Sequence, residues 1–337
     1  MLASDAAAFD YFGFSVAIDG VIAVVGAFGR DPIGGGSVGR TDGGAYVFRY
    51  NGVSWVEETV LVSSDLAPDD LFGYQVAVAG DRILATAPYD DDLGGYSGSA
   101  YVFRHDGTRW VEEQKLLASD GAAEDNFGRS CDLESGVLVI GAPKTFGPAM
   151  KHGSAYVFRS TGPVWLEVQS LAASDATALD WFGMTCALDS DRIAVGAPSQ
   201  ENRRYGAYLF RRSGAMWIEE QKLTPSQPGP FDNFGQGIEL DSDTLLVGAF
   251  GDIEQAYLAG AAYVYHFDGT RWGNERKLLA SDPVKQDQLG VGVALEGDVG
   301  VVGTDVAAFP GRVGRAYVFD VSSASTPILC RWRRETC

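Results

Sequence analysis

The sequence predicts an all-β fold, a β-propeller of six four-stranded blades, and three observations predict it. The first is repetition. Phe-Gly or a near variant falls at Phe12-Gly13, Phe72-Gly73, Phe127-Gly128, Phe182-Gly183, Phe234-Gly235 and Leu289-Gly290, at intervals of 60, 55, 55, 52 and 55 residues. A period of this size marks one supersecondary unit per repeat. The second is pattern: each copy carries short apolar runs of alternating character and none with a sustained helical period. The third is turn chemistry, with glycine-containing pairs such as Asp106-Gly107 between the runs.

The second copy shows the elements in order. Phe72–Val78 alternates and reads as strand a, followed by the tight turn Ala79-Gly80-Asp81. Arg82–Ala87 is strand b, ended by Pro88, which cannot donate to a ladder. A loop from Tyr89 to Ser99 leads to strand c, Ala100–Arg104, rich in aromatic and branched residues. Asp106-Gly107 turns the chain into strand d, Trp110–Leu116. Each blade would bury a face against the next. Blades starting near 12, 72, 127, 182, 234 and 289 place a single domain over residues 1–321. The sixth copy lacks a Trp-x-Glu-Glu strand d. Three closures are open: the tail (322–337, around Thr326–Leu329) supplies it, the Met1-Leu2 stub does, or the protein has a seventh blade.

Lys plus Arg number 26 against 45 Asp plus Glu, a net charge of −19. That excludes nucleic acid and anionic membrane surfaces as expected partners, because phosphate binding needs basic patches. No segment is long and apolar enough to insert in a membrane as a helix. Leu2-Ala3-Ser4-Asp5 matches Leu117-Ala118-Ser119-Asp120, so the chain is read as a piece of a longer precursor that is extracellular or at a cell surface. Cys131 and Cys186 replace valine or isoleucine of other copies and read as small buried apolar residues. Cys330 and Cys337, in the tail, could pair only in an oxidising compartment.

Phe127-Gly128 followed by Gly141-Ala142-Pro143, and Phe182-Gly183 followed by Gly196-Ala197-Pro198, resemble the FG-GAP repeat of integrin α-chains and bacterial surface proteins. The resemblance implies a propeller and covers the chain to about Val321. Integrin-type repeats often hold an Asp-x-Asp-x-Asp-Gly calcium loop between strands a and b. Here that connection is a tight turn, as in Ile18-Asp19-Gly20-Val21, so the family's calcium site is not carried over.

Antiparallel order puts the a–b and c–d turns at one face and the d–a and b–c loops at the other. The b–c loops vary in length and content, and variable loops on a rigid scaffold are where binding resides, so the ligand face is placed there. The d–a loops repeat Asp-x4-Asp: Asp5 with Asp10, Asp65 with Asp70, Asp120 with Asp125, Asp175 with Asp180, and Asp282 with Asp287. The metal reading assigns calcium to Asp65, Asp70, Asp120, Asp125, Asp175 and Asp180, since hard cations want clustered oxygens. The preferred reading is that each aspartate fixes its turn through backbone N–H groups. Non-recurring residues are the candidate ligand contacts: Asp90, Asp91 and Asp92, Trp181, and Arg203, Arg204 and Tyr205. The strand d tryptophans (Trp55, Trp110, Trp165, Trp217, Trp272) read as rim packing.

Three histidines in no zinc spacing and the absence of a Gly-x-Ser-x-Gly elbow give no catalytic constellation. The expected function is a non-enzymatic adhesion or binding propeller, a monomeric module of a larger chain, that takes a protein or glycan through its loop face. A structural propeller module and a carbohydrate-active enzyme are the rivals.

Overall fold

Short runs of branched and small apolar residues between two-residue turns leave little choice but antiparallel meanders. The computed structural model describes residues 1–31, 42–65, 67–144, 152–198, 205–229, 231–305, 313–322 and 329–330. Their fold is all-β, six four-stranded sheets that are the blades of a β-propeller. The chain divides into two compact units, Met1–Ala172 and Ala173–Cys337.

The first unit holds three blades: β1 (Val16–Asp19), β2 (Ile22–Gly26), β3 (Ala45–Tyr50) and β4 (Trp55–Leu61); β5 (Val76–Ala79), β6 (Arg82–Ala87), β7 (Ser99–His105) and β8 (Trp110–Leu116); β9 (Ser130–Glu134), β10 (Val137–Ala142), β11 (Ser154–Ser160) and β12 (Trp165–Leu171). The second unit holds β13 (Thr185–Asp189), β14 (Arg192–Ala197), β15 (Gly206–Ser213) and β16 (Met216–Leu223); β17 (Phe234–Asp241), β18 (Thr244–Ala249), β19 (Ala261–Phe267) and β20 (Trp272–Leu278); β21 (Val293–Glu296), β22 (Val299–Gly303), β23 (Ala316–Asp320) and β24 (Leu329–Cys330). The sixth blade therefore takes its fourth strand from the tail, with Leu329 opposite Phe319 and Cys330 opposite Val318.

Strand a is shorter than the alternation suggests: β5 starts at Val76, not Phe72. Gly73 takes φ +82° and Tyr74 N–H donates to the Leu71 carbonyl at 3.1 Å, so the chain bends before the ladder begins. The bend explains the signature glycines. A Cβ on Gly73 would lie 2.2 Å from the Gly44 carbonyl oxygen of the preceding blade. A Cβ on Gly26 would lie 2.1 Å from the Gly73 carbonyl oxygen. Adjacent blades thus meet backbone to backbone, which only glycine permits. The phenylalanine beside it is an anchor. Phe72 is fully buried, edge-on to Tyr101 and Phe103 of its own blade with ring centroids 5.4 and 6.0 Å away. Phe127, Phe182 and Phe234 repeat this geometry.

Alternation sends the two faces of a blade to different neighbours. Val76, Val78, Ile83 and Tyr101 pack on Val24, Val47 and Leu61 of the first blade, while Ala77, Leu84 and Val102 pack on Leu138 and Tyr156 of the third. At the rim, Trp110, Trp165, Trp217 and Trp272 are buried and Trp55 is half-buried, so the tryptophans pack blades. The Gln114 side chain grips Trp165 twice, accepting from its N–H at 2.8 Å and donating to its carbonyl at 3.0 Å. Gln221 holds Trp272 in the same way. A second clasp recurs beside it: Ser64, Ser119, Ser174 and Ser226 each donate through N–H and Oγ to a strand d glutamate of the next blade, Glu112, Glu167, Glu219 and Glu275. Cys186 is buried and Cys131 is half-buried against the core.

Candidate functional site

Each blade has a turn edge and a loop edge. At the turn edge every a–b connection has two residues: Gly20-Val21, Gly80-Asp81, Ser135-Gly136, Ser190-Asp191, Ser242-Asp243 and Gly297-Asp298. None can wrap alternating oxygen ligands around a cation. Instead, acids ending strand a tie blades together: Asp19 accepts from Gly80 N–H and Asp241 from Gly297 N–H, both at 2.6 Å. A cavity of about 650 Å3 opens at this edge of the first unit, lined by Asp19, Val78, Asp81, Arg82 and Leu133 among others. Its charges are engaged already, Asp19 with Gly80 and Arg82 with Asp81 and Glu113.

At the loop edge the recurring aspartates build the scaffold. The second of each pair closes its own turn by accepting the N–H three residues back: Asp10 from Ala7 at 2.7 Å, Asp70 from Ala67 at 3.2 Å, Asp125 from Ala122 at 3.2 Å, and Asp180 from Thr177 at 2.6 Å. All four side chains are buried. The first of each pair receives the hydroxyl of a strand c tyrosine: Tyr46 to Asp5 at 2.5 Å, Tyr101 to Asp65 at 2.8 Å, Tyr156 to Asp120 at 2.6 Å, and Tyr208 to Asp175 at 2.7 Å. A pair therefore serves two different contacts rather than one shared ligand, and each of the six acids assigned to calcium has a structural partner. Burial first, and the charge of Asp90 second, push the Asp70 carboxyl up to about 6.

Three acids do converge, in the second blade. Asp65, Asp90 and Asp92 bring carboxylate oxygens within 4.8 Å of one another. The Lys115 ammonium sits among them, at 2.5, 2.8 and 2.7 Å. Asp90 is buried and also accepts from Ser99 Oγ at 3.0 Å and Tyr101 at 3.1 Å. Burial pushes the Asp65 carboxyl up, but the Lys115 ammonium and the Tyr101 hydroxyl outweigh it and hold it below the usual carboxylate range. Burial opposes the lysine's charge as well, and the three carboxylates overcome it, holding Lys115 above the usual lysine range. The donor set fits a hard cation in kind, but the ammonium supplies the positive charge. Asp90 and Asp92 are thus ion-paired, and Asp91 is exposed beside them.

Trp181 lies half-buried in the d–a loop before β13 at φ +56°, and its indole N–H has no acceptor among the described residues. Tyr205 corrects the sequence expectation. It is 1% exposed, donates its hydroxyl to the Gly229 carbonyl at 2.7 Å and packs beside Phe234, so it is an internal strut and not a surface contact. Arg203 and Arg204 lie outside the described residues.

Sequence reasoning missed a cluster at the loop edge of the first unit. Tyr11 stacks on Phe28 with centroids 4.7 Å apart and planes 9° apart. Phe14 meets Phe28 edge-on at 4.7 Å and Tyr74 at 4.8 Å. Tyr11 and Phe14 are 54% and 48% exposed, while Tyr74 is buried beneath them. The Arg129 guanidinium lies 4.8 Å from the centre of the Tyr74 ring and contacts its hydroxyl. The signal was available in the repeat itself. Two residues past each Phe stand Phe14, Tyr74, Arg129, Met184, Gln236 and Val291, a position the scaffold leaves open.

A family model described as FG-GAP repeat matches the chain six times, at residues 1–48, 55–103, 110–158, 165–210, 217–265 and 272–319.

Proposed function

The chain belongs to the FG-GAP repeat family, and from that premise we propose a non-enzymatic recognition module, extracellular or at a cell surface, that takes a protein or glycan at its loop edge. The family and the blades make it a binding or structural module in general. One observation carries the finer reading. Residues repeated from blade to blade are consumed by packing, turns and clasps, whereas the residues that change are gathered at the loop edge, where Tyr11 and Phe14 stand exposed. Recognition needs one distinctive surface on a fixed frame. The repeated carboxylates suit catalysis poorly, since each already answers a tyrosine, a backbone N–H or a lysine. Adhesion as a monomeric module of a larger chain is part of the same reading.

Glycan and protein arrays probed with the intact chain test it. Binding that survives substitution at the turn edge (Asp106→Ala) and falls on substitution at the loop edge (Tyr11→Ala) supports it. Loss from the turn edge alone, or turnover of a polysaccharide that a single loop carboxylate abolishes, overturns it.

A further inference from the structure

The aromatic cluster of the first unit has a chemistry of its own. Building on the loop-edge reading, we propose that Tyr11, Phe14, Phe28, Tyr74 and Arg129 form a subsite for a carboxylate-bearing sugar, a uronate residue stacked on the rings with its carboxylate on the guanidinium.

The six repeats serve as an internal control on what the scaffold requires. Where Tyr11 stands, the other blades have Leu71, Asn126, Trp181, Asn233 and Gln288. Where Phe28 stands, the next four have Pro88, Pro143, Pro198 and Phe250, so a ring recurs once at this place but without an aromatic at the place of Tyr11, where that blade has Asn233. Blades fold with leucine, asparagine or proline at these places, so the frame does not explain four rings here. Exposed large aromatics gathered in contact cost solvation that a ligand recovers.

The cation sharpens the chemistry. In a chain with 45 acidic residues against 26 basic ones, most described basic groups on the loop edge have found a carboxylate: Arg30 with Asp5, Lys115 with Asp65, Lys144 with Asp125, Lys222 with Asp175, Lys277 with Asp252. Arg129 makes no ion pair within 4.0 Å among the described residues; its side chain meets the Tyr74 ring and hydroxyl. Burial alone acts on it and lowers its pKa, with no carboxylate to offset that. A half-buried guanidinium without a counter-charge is a fork waiting for a planar anion.

Ring and fork together select the ligand. A pyranose offers a face of C–H groups to an aromatic ring and keeps its hydroxyls at the edge, in water. A peptide laid on the same rings would bring amide groups that find no partners on them, and unpaired amides are costly to bury. Long polyanions meet the general repulsion of a net charge of −19, which favours a ligand whose acid is single and local.

The test uses the intact chain with methyl β-D-glucuronide, its methyl ester and methyl β-D-glucoside, read by ligand-detected NMR titration. The acid should bind in the millimolar range and the two neutral sugars about tenfold more weakly, the difference a charge-assisted bidentate contact makes. Arg129→Gln should bring the acid down to the level of its ester, with Arg129→Lys in between. Tyr11→Ala with Phe14→Ala should abolish binding of all three, and their exposure keeps the fold intact, as an unchanged circular dichroism melt checks. Equal binding of acid and ester, an indifferent Arg129→Gln, or no sugar bound overturns this inference. If the arrays then still find a loop-edge ligand, the recognition reading stands without it; if they find none, both fall.

Discussion

The first and second blades solve one electrostatic problem from different elements, a loop in one and a strand in the other. Each presents a d–a aspartate to a strand c tyrosine, Asp5 to Tyr46 and Asp65 to Tyr101. In the second blade the balancing cation is Lys115, directly across the β7–β8 ladder from Tyr101, and the b–c loop contributes the acid Asp90. In the first, the residue across from Tyr46 is Val60, and the b–c loop contributes Arg30, which binds Asp5 through Nε and Nη2 at 3.1 and 2.9 Å. The fifth blade gives a third arrangement: Gln227 replaces the d–a aspartate, and Lys277 turns to Asp252 and Glu254, both at 2.6 Å. What recurs is thus an acid and a hydroxyl in contact. The source of the positive charge is free to move, provided it arrives.

Removing the cation separates the two blades most sharply. Lys115→Met leaves three converging carboxylates uncompensated, one of them buried, and should cost about 3 kcal/mol in denaturant unfolding. Arg30→Met strands a single half-exposed acid and should cost about 1 kcal/mol. Equal losses would dissolve the distinction.

A charge swap probes the same point more finely. Arg30→Asp alone sets two carboxylates together and should destabilise by about 2 kcal/mol, and adding Val60→Lys should recover most of it through a coupling of about 1–2 kcal/mol. Additive effects would show that the two geometries are not interchangeable.

Acidity separates two carboxylates of the same loop. Asp70, raised to about 6, keeps its proton in the folded chain at pH values where the unfolded chain has lost it, so its contribution falls as pH rises from about 4 through about 6. Asp65 is shifted down and acts in the opposite sense: its contribution is present above about pH 4 and is lost as pH falls below that. Stability of Asp70→Asn relative to the wild type should therefore rise across pH 4–6. A flat difference would deny Asp70 its raised pKa.

The smallest effect concerns calcium. With an ammonium among the acids, millimolar calcium should move the wild-type melting temperature by no more than about 1 °C, whereas Lys115→Met should gain a few degrees through binding to the folded state alone. A large rise in the wild type would restore the metal reading for this chain.

The frame was legible in the sequence because it is written six times. Phe127-Gly128, Gly141-Ala142 and Trp165 have counterparts in most copies because a blade is held by a buried anchor, a backbone contact and a rim tryptophan; the sixth, with Leu289 and no counterpart of Trp165, is the exception. The turn-building role of Asp125 followed from the same recurrence. Lys115 was not legible, and Arg129 showed only as a change of residue type at the open place two residues past Phe127, not as a partner of Tyr74. Lys115 meets Asp65 across 50 residues of sequence, and Arg129 meets Tyr74 across 55. Contacts between elements that far apart leave no local pattern. Tyr205 misled for a related reason: a tyrosine next to two arginines in a loop reads as surface, but it stands just before β15, where its ring turns inward.

The serine–glutamate clasp has a practical corollary. Because Ser119 must reach Glu167 with both its N–H and its hydroxyl, at 2.9 and 2.8 Å, the path from one rim strand to the next is a fixed length of chain. The connection between β6 and β7 is tied as well: Gly98 N–H donates to the Asp90 carbonyl at 2.9 Å, and Glu124 and Asn126 of the next d–a loop donate to the carbonyls of Gly95 and Tyr96 at 2.8 and 3.0 Å. A foreign epitope spliced in after Asp92 would break the tie to Lys115 and the bonds that follow it, just as a graft after Ser119 would part the clasp to Glu167. Both kinds of connection thus measure out the chain between blades residue by residue.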